Sequence, residues 1–318
     1  MFKPALAILT CIASCLMASM ASMAFASDIH ILTAHPATYA IARSLTHETS
    51  IKITPAAPLK LPASRLYSYL AGRGKTKLIP LAQTANAVIT LHSLWPDDPI
   101  YPHSRRSNIR IVPIDAAQPL DQALPGIATM PPDNNPKLYE HFNLAPMPAN
   151  GEQSAPWLSP TALGRMVDIV ARDLMSLSPS DTAQIEENLA AIKHELLVQK
   201  AKTDQALANA DSLVTLALGP HFGYLAADLG LELVGTITAS SREWDDARLL
   251  LLSQWIAEED VALVLVDSHT VTPAMLTSIK ASGAQPVSLV GATLNTLTPI
   301  DWIGQNVAAI EKASTQSE

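Results

Sequence analysis

Four histidines and one aspartate stand just after segments that read as buried strands: His35, His92, His221, Asp267 and His269. Imidazole nitrogen and carboxylate oxygen are the ligand types that suit Zn²⁺ and Mn²⁺. If these loops meet, His35 and His92 from one half of the chain join His221, Asp267 and His269 from the other in a donor set for such an ion. The competing reading of each histidine is a helix cap or a hydrogen bond to a loop carbonyl. His30 alternates within a strand and His194 lies in a long helical stretch, which suits structural or solvated roles. His47, His103 and His141 fall in loops and carry little signal.

Other groups offer a different chemistry. Trp95, Asp97 and Asp98 follow His92 near the mouth of the expected cleft, and Arg242, Glu243 and Trp244 follow a strand of the second half. Aromatic and charged groups in a cleft can hold a small polar solute or a metal chelate. Alternatively, the two tryptophans pack lobe edges and the charges are solvated. The charges between Asp181 and Asp204 read as an exposed helical face. Gly72-Arg73-Gly74-Lys75-Thr76 fails the phosphate-loop spacing because Tyr69 stands where the first glycine is needed, so a basic turn is expected. No Gly-x-Ser-x-Gly elbow or His-Glu-x-x-His helix occurs, and nothing supplies a nucleophile or an oxyanion site. An enzyme is not expected, and no organic cofactor is called for.

The elements that must position these residues alternate between strand and helix. Strands are expected at Asp28 to Thr33, Ile51 to Thr54, Ala85 to Leu91 and Asn108 to Ile114, with helices at Pro36 to Leu45 and Ala63 to Leu70. Asp115 to Ser159, rich in Pro, Asn and Ala, reads as a long crossing loop. Ser159-Pro160 and Ser178-Pro179 each pair a cap with a proline at the first helical position, opening helices of about Thr161 to Leu177 and Ser180 to Asn209. The second half repeats the alternation, with strands Ser212 to Leu218, Leu231 to Ile237, Val261 to Asp267 and Pro286 to Val290. Helices are expected at His221 to Leu229, Arg242 to Glu258, Pro273 to Ala281 and Pro299 to Lys312. The expected fold is therefore α/β: two parallel-sheet lobes joined by a long linker helix, with a ligand cleft between them. The divisions are 1–26 signal peptide, 27–159 first lobe, 160–178 linker helix and 179–318 second lobe.

The start of the chain reads as an export signal, with Lys3, an apolar run from Pro4 to Met23 and a small-x-small site at Ala24-Phe25-Ala26. Export from the cytoplasm follows. The alternative is a lipobox at Ile12-Ala13-Ser14-Cys15, which would anchor the protein through Cys15. Both cysteines, Cys11 and Cys15, lie in this segment, so the mature chain would hold no disulfide or thiolate site. Removal of Lys3 moves the formal charge from -8 to -9, which argues against nucleic acid as a partner. With 48% hydrophobic residues, the remainder can fill two cores.

Several strings, in order, resemble the zinc/manganese ABC-transporter periplasmic solute-binding protein family. They are Thr84 to Leu91, Trp157-Leu158-Ser159-Pro160, Val214-Thr215, Phe222-Gly223-Tyr224-Leu225, Gly230-Leu231 and Val264-Leu265-Val266-Asp267. Ser154-Ala155-Pro156-Trp157-Leu158-Ser159-Pro160 is similar to a family segment that carries a histidine ligand where this chain has Ala155. The resemblance implies capture of Zn²⁺ or Mn²⁺ as transported ligand by three histidines and a carboxylate, and docking of a monomer on an ABC permease in the inner membrane. Carried over position by position, the first histidine falls in Ala56-Ala57-Pro58-Leu59, the second at Ala155 and the third near Gly219. The carboxylate is kept as Asp267. The family's histidine-rich loop is replaced by a Pro/Asn loop holding His141 alone. His221 and Asp267, flanked by the matching strings, are the leading ligands, and the partner is a metal ion or a small metal complex. The runner-up is a divergent accessory protein or chelate receptor that no longer binds free metal.

Overall fold

The computed structural model describes residues 29–121, 124–130, 135–146, 155–291 and 298–315. The expected export signal and Cys15 lie outside them. The chain forms two four-stranded sheets with all strands parallel. The first holds β1 (His30–Thr33), β2 (Lys52–Pro55), β3 (Ala87–Thr90) and β4 (Val112–Asp115) in the order β2-β1-β3-β4. The second holds β5 (Val214–Leu218), β6 (Glu232–Thr236), β7 (Leu263–Asp267) and β8 (Gln285–Leu289) in the order β6-β5-β7-β8. The two orders are equivalent, so the expectation of two similar parallel-sheet lobes holds.

The strands were legible because both faces of their sheets are covered, which makes them near-continuous apolar runs. In the second lobe, Leu216, Leu218, Val264 and Val266 point into one buried cluster, while Ala217, Leu263 and Leu265 point into another. That is the period of two expected of a strand covered on both sides.

The helices are α1 (Pro36–Leu45), α2 (Leu66–Ala71), α3 (Lys75–Thr84), α4 (Ile100–Arg105), α5 (Pro136–His141), α6 (Pro160–Leu177), α7 (Thr182–Leu207), α8 (Gly223–Asp228), α9 (Asp246–Glu258), α10 (Pro273–Ala281) and α11 (Pro299–Ser314). Among the described residues, one device opens five of them: a polar cap followed by proline, at His35-Pro36, Asn135-Pro136, Ser159-Pro160, Thr272-Pro273 and Thr298-Pro299. The cap side chain satisfies an orphan N–H, and proline occupies the position where its missing N–H costs nothing. Helix α9 starts later than expected because Asp245 is its cap, accepting from Arg248 N–H at 2.9 Å. No described helix is long and apolar enough to cross a membrane.

The helix expected at 160–178 forms, and a longer one runs beside it between the lobes. Helix α6 packs along α7, and both touch the two lobes, α7 being the longer at 26 residues. At its start the Asp181 carboxylate accepts from Ser50 N–H and hydroxyl, and Asn188 donates to the carbonyls of Leu45 and His47. At its far end Lys200 donates to the Asp228 carbonyl and Thr203 to Glu311. An 18-residue α6 rises about 27 Å and a 26-residue α7 about 39 Å, so the longer helix runs along more of both lobes.

The crossing segment also holds structure. Helix α5, expected to be loop, packs Leu138, Tyr139, Phe142 and Leu144 into the outer cluster of the second lobe with Trp244, Leu252 and Ile256. Arg248 pins its end by donating to the carbonyls of Phe142 and Asn143. Gly235 of β6 permits this approach, since a Cβ there would lie 2.7 Å from Leu138 Cδ2.

Candidate ligand site

In a sheet of this order the chain leaves β1 and β3 toward opposite sides, and the crevice between their carboxyl ends is where open α/β sheets hold ligands. The equivalent pair in the second lobe is β5 and β7. Every expected site residue follows one of these four strands: His35 after β1, His92 after β3, His221 after β5, and Asp267 with His269 at the end of β7. The two sets of loops face each other across a cavity of about 350 Å³. His35, His221, Asp267 and His269 line it, together with Lys60, Ala155, Trp157, Phe222 and Leu289.

His92 is not brought there. Leu94 and Trp95 N–H groups both return to the Leu91 carbonyl, and Ser93 is tied by N–H and hydroxyl to the Asp115 carboxylate at the end of β4. This tight turn leaves His92 exposed and away from the cavity. Trp95, Asp97 and Asp98 line a separate hollow on the first lobe with Tyr67 and His103. Asp98 is buried and accepts from Thr90 hydroxyl and from the N–H groups of Leu91 and Ile100, so it organises the strand end. Trp244 packs in the outer core of the second lobe and Glu243 caps the turn at Ser240. The two tryptophans are packed as that reading expects, whereas Asp98 is buried and hydrogen-bonded instead of solvated.

His35 is both a cavity residue and a cap. Its Nδ1 accepts from Ala37 N–H at 3.1 Å, and its ring lies 4.7 Å from that of Trp157. A neutral imidazole has one acceptor nitrogen and one N–H, so Nε2 carries the proton. His35 is thus a hydrogen-bond donor, with no lone pair left for a cation while it caps α1. Burial drives its pKa down to about 3, and a charge on nearby His221 pushes the same way, so it stays neutral at ordinary pH.

The metal-competent groups sit on the second lobe. Asp267 Oδ1 accepts from His269 N–H at 2.7 Å and lies 3.4 Å from His269 Nδ1. Ser268 Oγ is 3.3 Å from the same nitrogen. Gly219, at φ 152°, lets the chain swing out of β5 so that His221 and Phe222 reach the cavity. Among the described residues no three His, Cys, Asp or Glu side chains stand close enough to hold an ion together. Of the positions carried over from the resemblance, Ala155 and Asp267 line the cavity, while Ala56 and Ala57 are buried in the core beside it.

Lys60 and Phe222 were not read as site residues. Lys60 lies one position beyond Ala56-Ala57-Pro58-Leu59, in the loop leaving β2, and its signal was a lone cation between Pro58 and Pro62 at a strand end. Trp157 was read only as part of a string. It closes the cavity floor, with its carbonyl accepting from Trp302 Nε1 of α11 at 2.9 Å.

The fold is shared with known solute-binding proteins. A structure of ZnuA aligns with a TM-score of 0.61 at 19% identity, covering 92% of this chain and 100% of that one. A mutant of FpvC from Pseudomonas aeruginosa aligns with a TM-score of 0.67 at 17% identity, covering 90% and 99%. Zn(II)-bound AdcA from Streptococcus pneumoniae gives 0.66 at 17%, covering 91% of this chain and 58% of that one. No curated protein sequence matches the chain. The family model described as the periplasmic component A of the zinc-uptake complex matches residues 130–313, more than half of the chain. With two equivalent parallel-sheet lobes, a long linking helix and a cavity between the lobes, this chain belongs to the periplasmic zinc-uptake component A family.

Proposed function

We propose that this protein is the exported solute-binding component of a metal-type ABC importer, and that it presents its cargo to an inner-membrane permease. The observation that carries this reading is the cavity between the lobes, where His221, Asp267 and His269 lie on the switch-point loops of one sheet and face the other lobe. Their chemistry suits Zn²⁺ or Mn²⁺ as cargo. The family's description as an uptake component supports binding rather than catalysis.

His221 follows β5 and Asp267 with His269 ends β7, adjacent strands of one sheet, so a single lobe supplies the protein's ligands to the cation. The test is calorimetry and native mass spectrometry of the metal-stripped protein with Zn²⁺ and Mn²⁺. One equivalent should bind, and His221→Ala and Asp267→Ala should each weaken it at least about tenfold, the loss of one of few ligands. Binding indifferent to both substitutions, or failure to bind these cations both alone and as small-molecule complexes, would overturn the assignment.

A further inference from the structure

We infer that the cargo enters as a chelate: a divalent cation already held by a small polycarboxylate, the cation facing the second lobe and the carboxylates facing the first. This deepens the metal-cargo reading above and rests on it. Three features of the cavity point the same way.

The first is the donor count. Asp267 and His269 form a close pair, and His221 lines the same wall, yet no three such groups among the described residues are set to hold an ion. His35, on the opposite lobe, presents a proton instead of a lone pair because its Nδ1 caps α1. A bare cation would therefore keep most of its water. A cation that brings its own oxygen ligands needs only one or two more from the protein, which is what the second-lobe wall offers.

The second feature is polarity. The first-lobe wall includes Lys60, an exposed lysine within reach of the cavity, and His35, a neutral N–H donor. Both groups recognise oxyanions, and neither recognises a metal ion. A lysine in the wall of a bare-cation site raises the energy of the cation, whereas opposite an anionic chelate it is attractive. The carboxylate and imidazoles are on one side of the cavity and the cation and donor on the other. A metal–carboxylate complex has the matching two ends.

The third is size and surface. At about 350 Å³ the cavity is at the lower end of the range for small organic ligands and holds roughly ten water-sized groups, far more than one ion. Trp157, Phe222, Leu61 and Leu289 supply apolar wall between the polar ends. That suits a short carbon skeleton.

The experiment is calorimetry at pH 7 on the metal-stripped protein with three titrants: Zn²⁺ alone, citrate alone and preformed zinc–citrate. The expected result is zinc–citrate binding at one equivalent at least tenfold more tightly than either component. Lys60→Met should remove most of that advantage, and Asp267→Ala should weaken the complex at least tenfold. If Zn²⁺ alone binds as tightly as the complex, the chelate inference falls and the metal-cargo reading stands. Should citrate alone match the complex, the cation plays no part and both fall. Silence with all three titrants also ends both, and an undiminished advantage in Lys60→Met ends the proposed orientation.

Discussion

A single nitrogen decides what His35 can do. Standing before proline at the start of a helix, it accepts from Ala37 N–H, and that commitment turns a strand-end histidine into a proton donor. A second buried titratable group lies outside the cavity. Asp173 of α6 is 4% exposed, its Oδ2 has no hydrogen-bond partner, and burial raises its pKa to about 6; the N–H of Leu120 opposes the rise, while the charge of Asp121 adds to it. An acid whose pKa is raised in the folded state favours folding fully below the pH at which the unfolded carboxyl titrates, about 4. That contribution is lost as pH rises through about 6. Asp173→Asn should therefore gain stability relative to the parent by about 2–3 kcal/mol between pH 4 and pH 8, since each tenfold change in proton affinity is worth about 1.4 kcal/mol. Urea unfolding at a series of pH values measures this, and a pH-independent difference would refute it.

Among the elements, α5 shows how a crossing segment acquires structure. Only six residues long, it gains little from helix propensity and depends on what it buries. Phe142 is fully buried and meets Trp244 and Trp255 edge to face at 6.0 and 6.2 Å, and Tyr139 hydroxyl accepts from Thr238 N–H. Phe142→Ala should cost about 3–5 kcal/mol and expose this segment to limited proteolysis before the lobes unfold. Asn135-Pro136 carries the same cap-and-proline signal that located α6 and α7. It was outweighed by the surrounding Pro and Asn. Helix α3 was missed for the opposite reason: Pro80 lies inside it, and a proline there reads as a break because it removes an N–H and crowds the preceding turn.

Across the whole molecule, the lobes are joined by more than one helix. The larger core cluster is continuous from Leu32 and Val88 in the first lobe, through α6, α7 and α11, to Ala217, Leu265 and Trp302 in the second. Asp228 of α8 adds a polar tie at the start of α6, accepting from Ser159 and Thr161 hydroxyls and from Thr161 N–H. A hinge that opened the cleft widely would have to break this shared core, so small shear movements are favoured. Small-angle scattering with and without cargo should show a radius of gyration of about 19 Å that changes by less than about 1 Å. A change of several ångströms would show that the shared core parts.

The sequence by itself determined the order of strands and helices, because buried parallel strands are continuous apolar runs and capped prolines mark helix starts. It also located the switch-point loops, and with them His35, His221, Asp267 and His269. What only tertiary structure decided was which loop ends meet and what each side chain has left to offer. Ser93, tied to Asp115, turns His92 aside, His35 is spent on a cap, and Lys60, one residue beyond Ala56-Ala57-Pro58-Leu59, lines the cavity. Periodicity reports which face of an element is covered. The turn at His92 depends on a bond from Ser93 to Asp115, 22 residues on, which no local pattern records, whereas the His35 cap reaches only 2 residues and the His-Pro pair allowed it without compelling it.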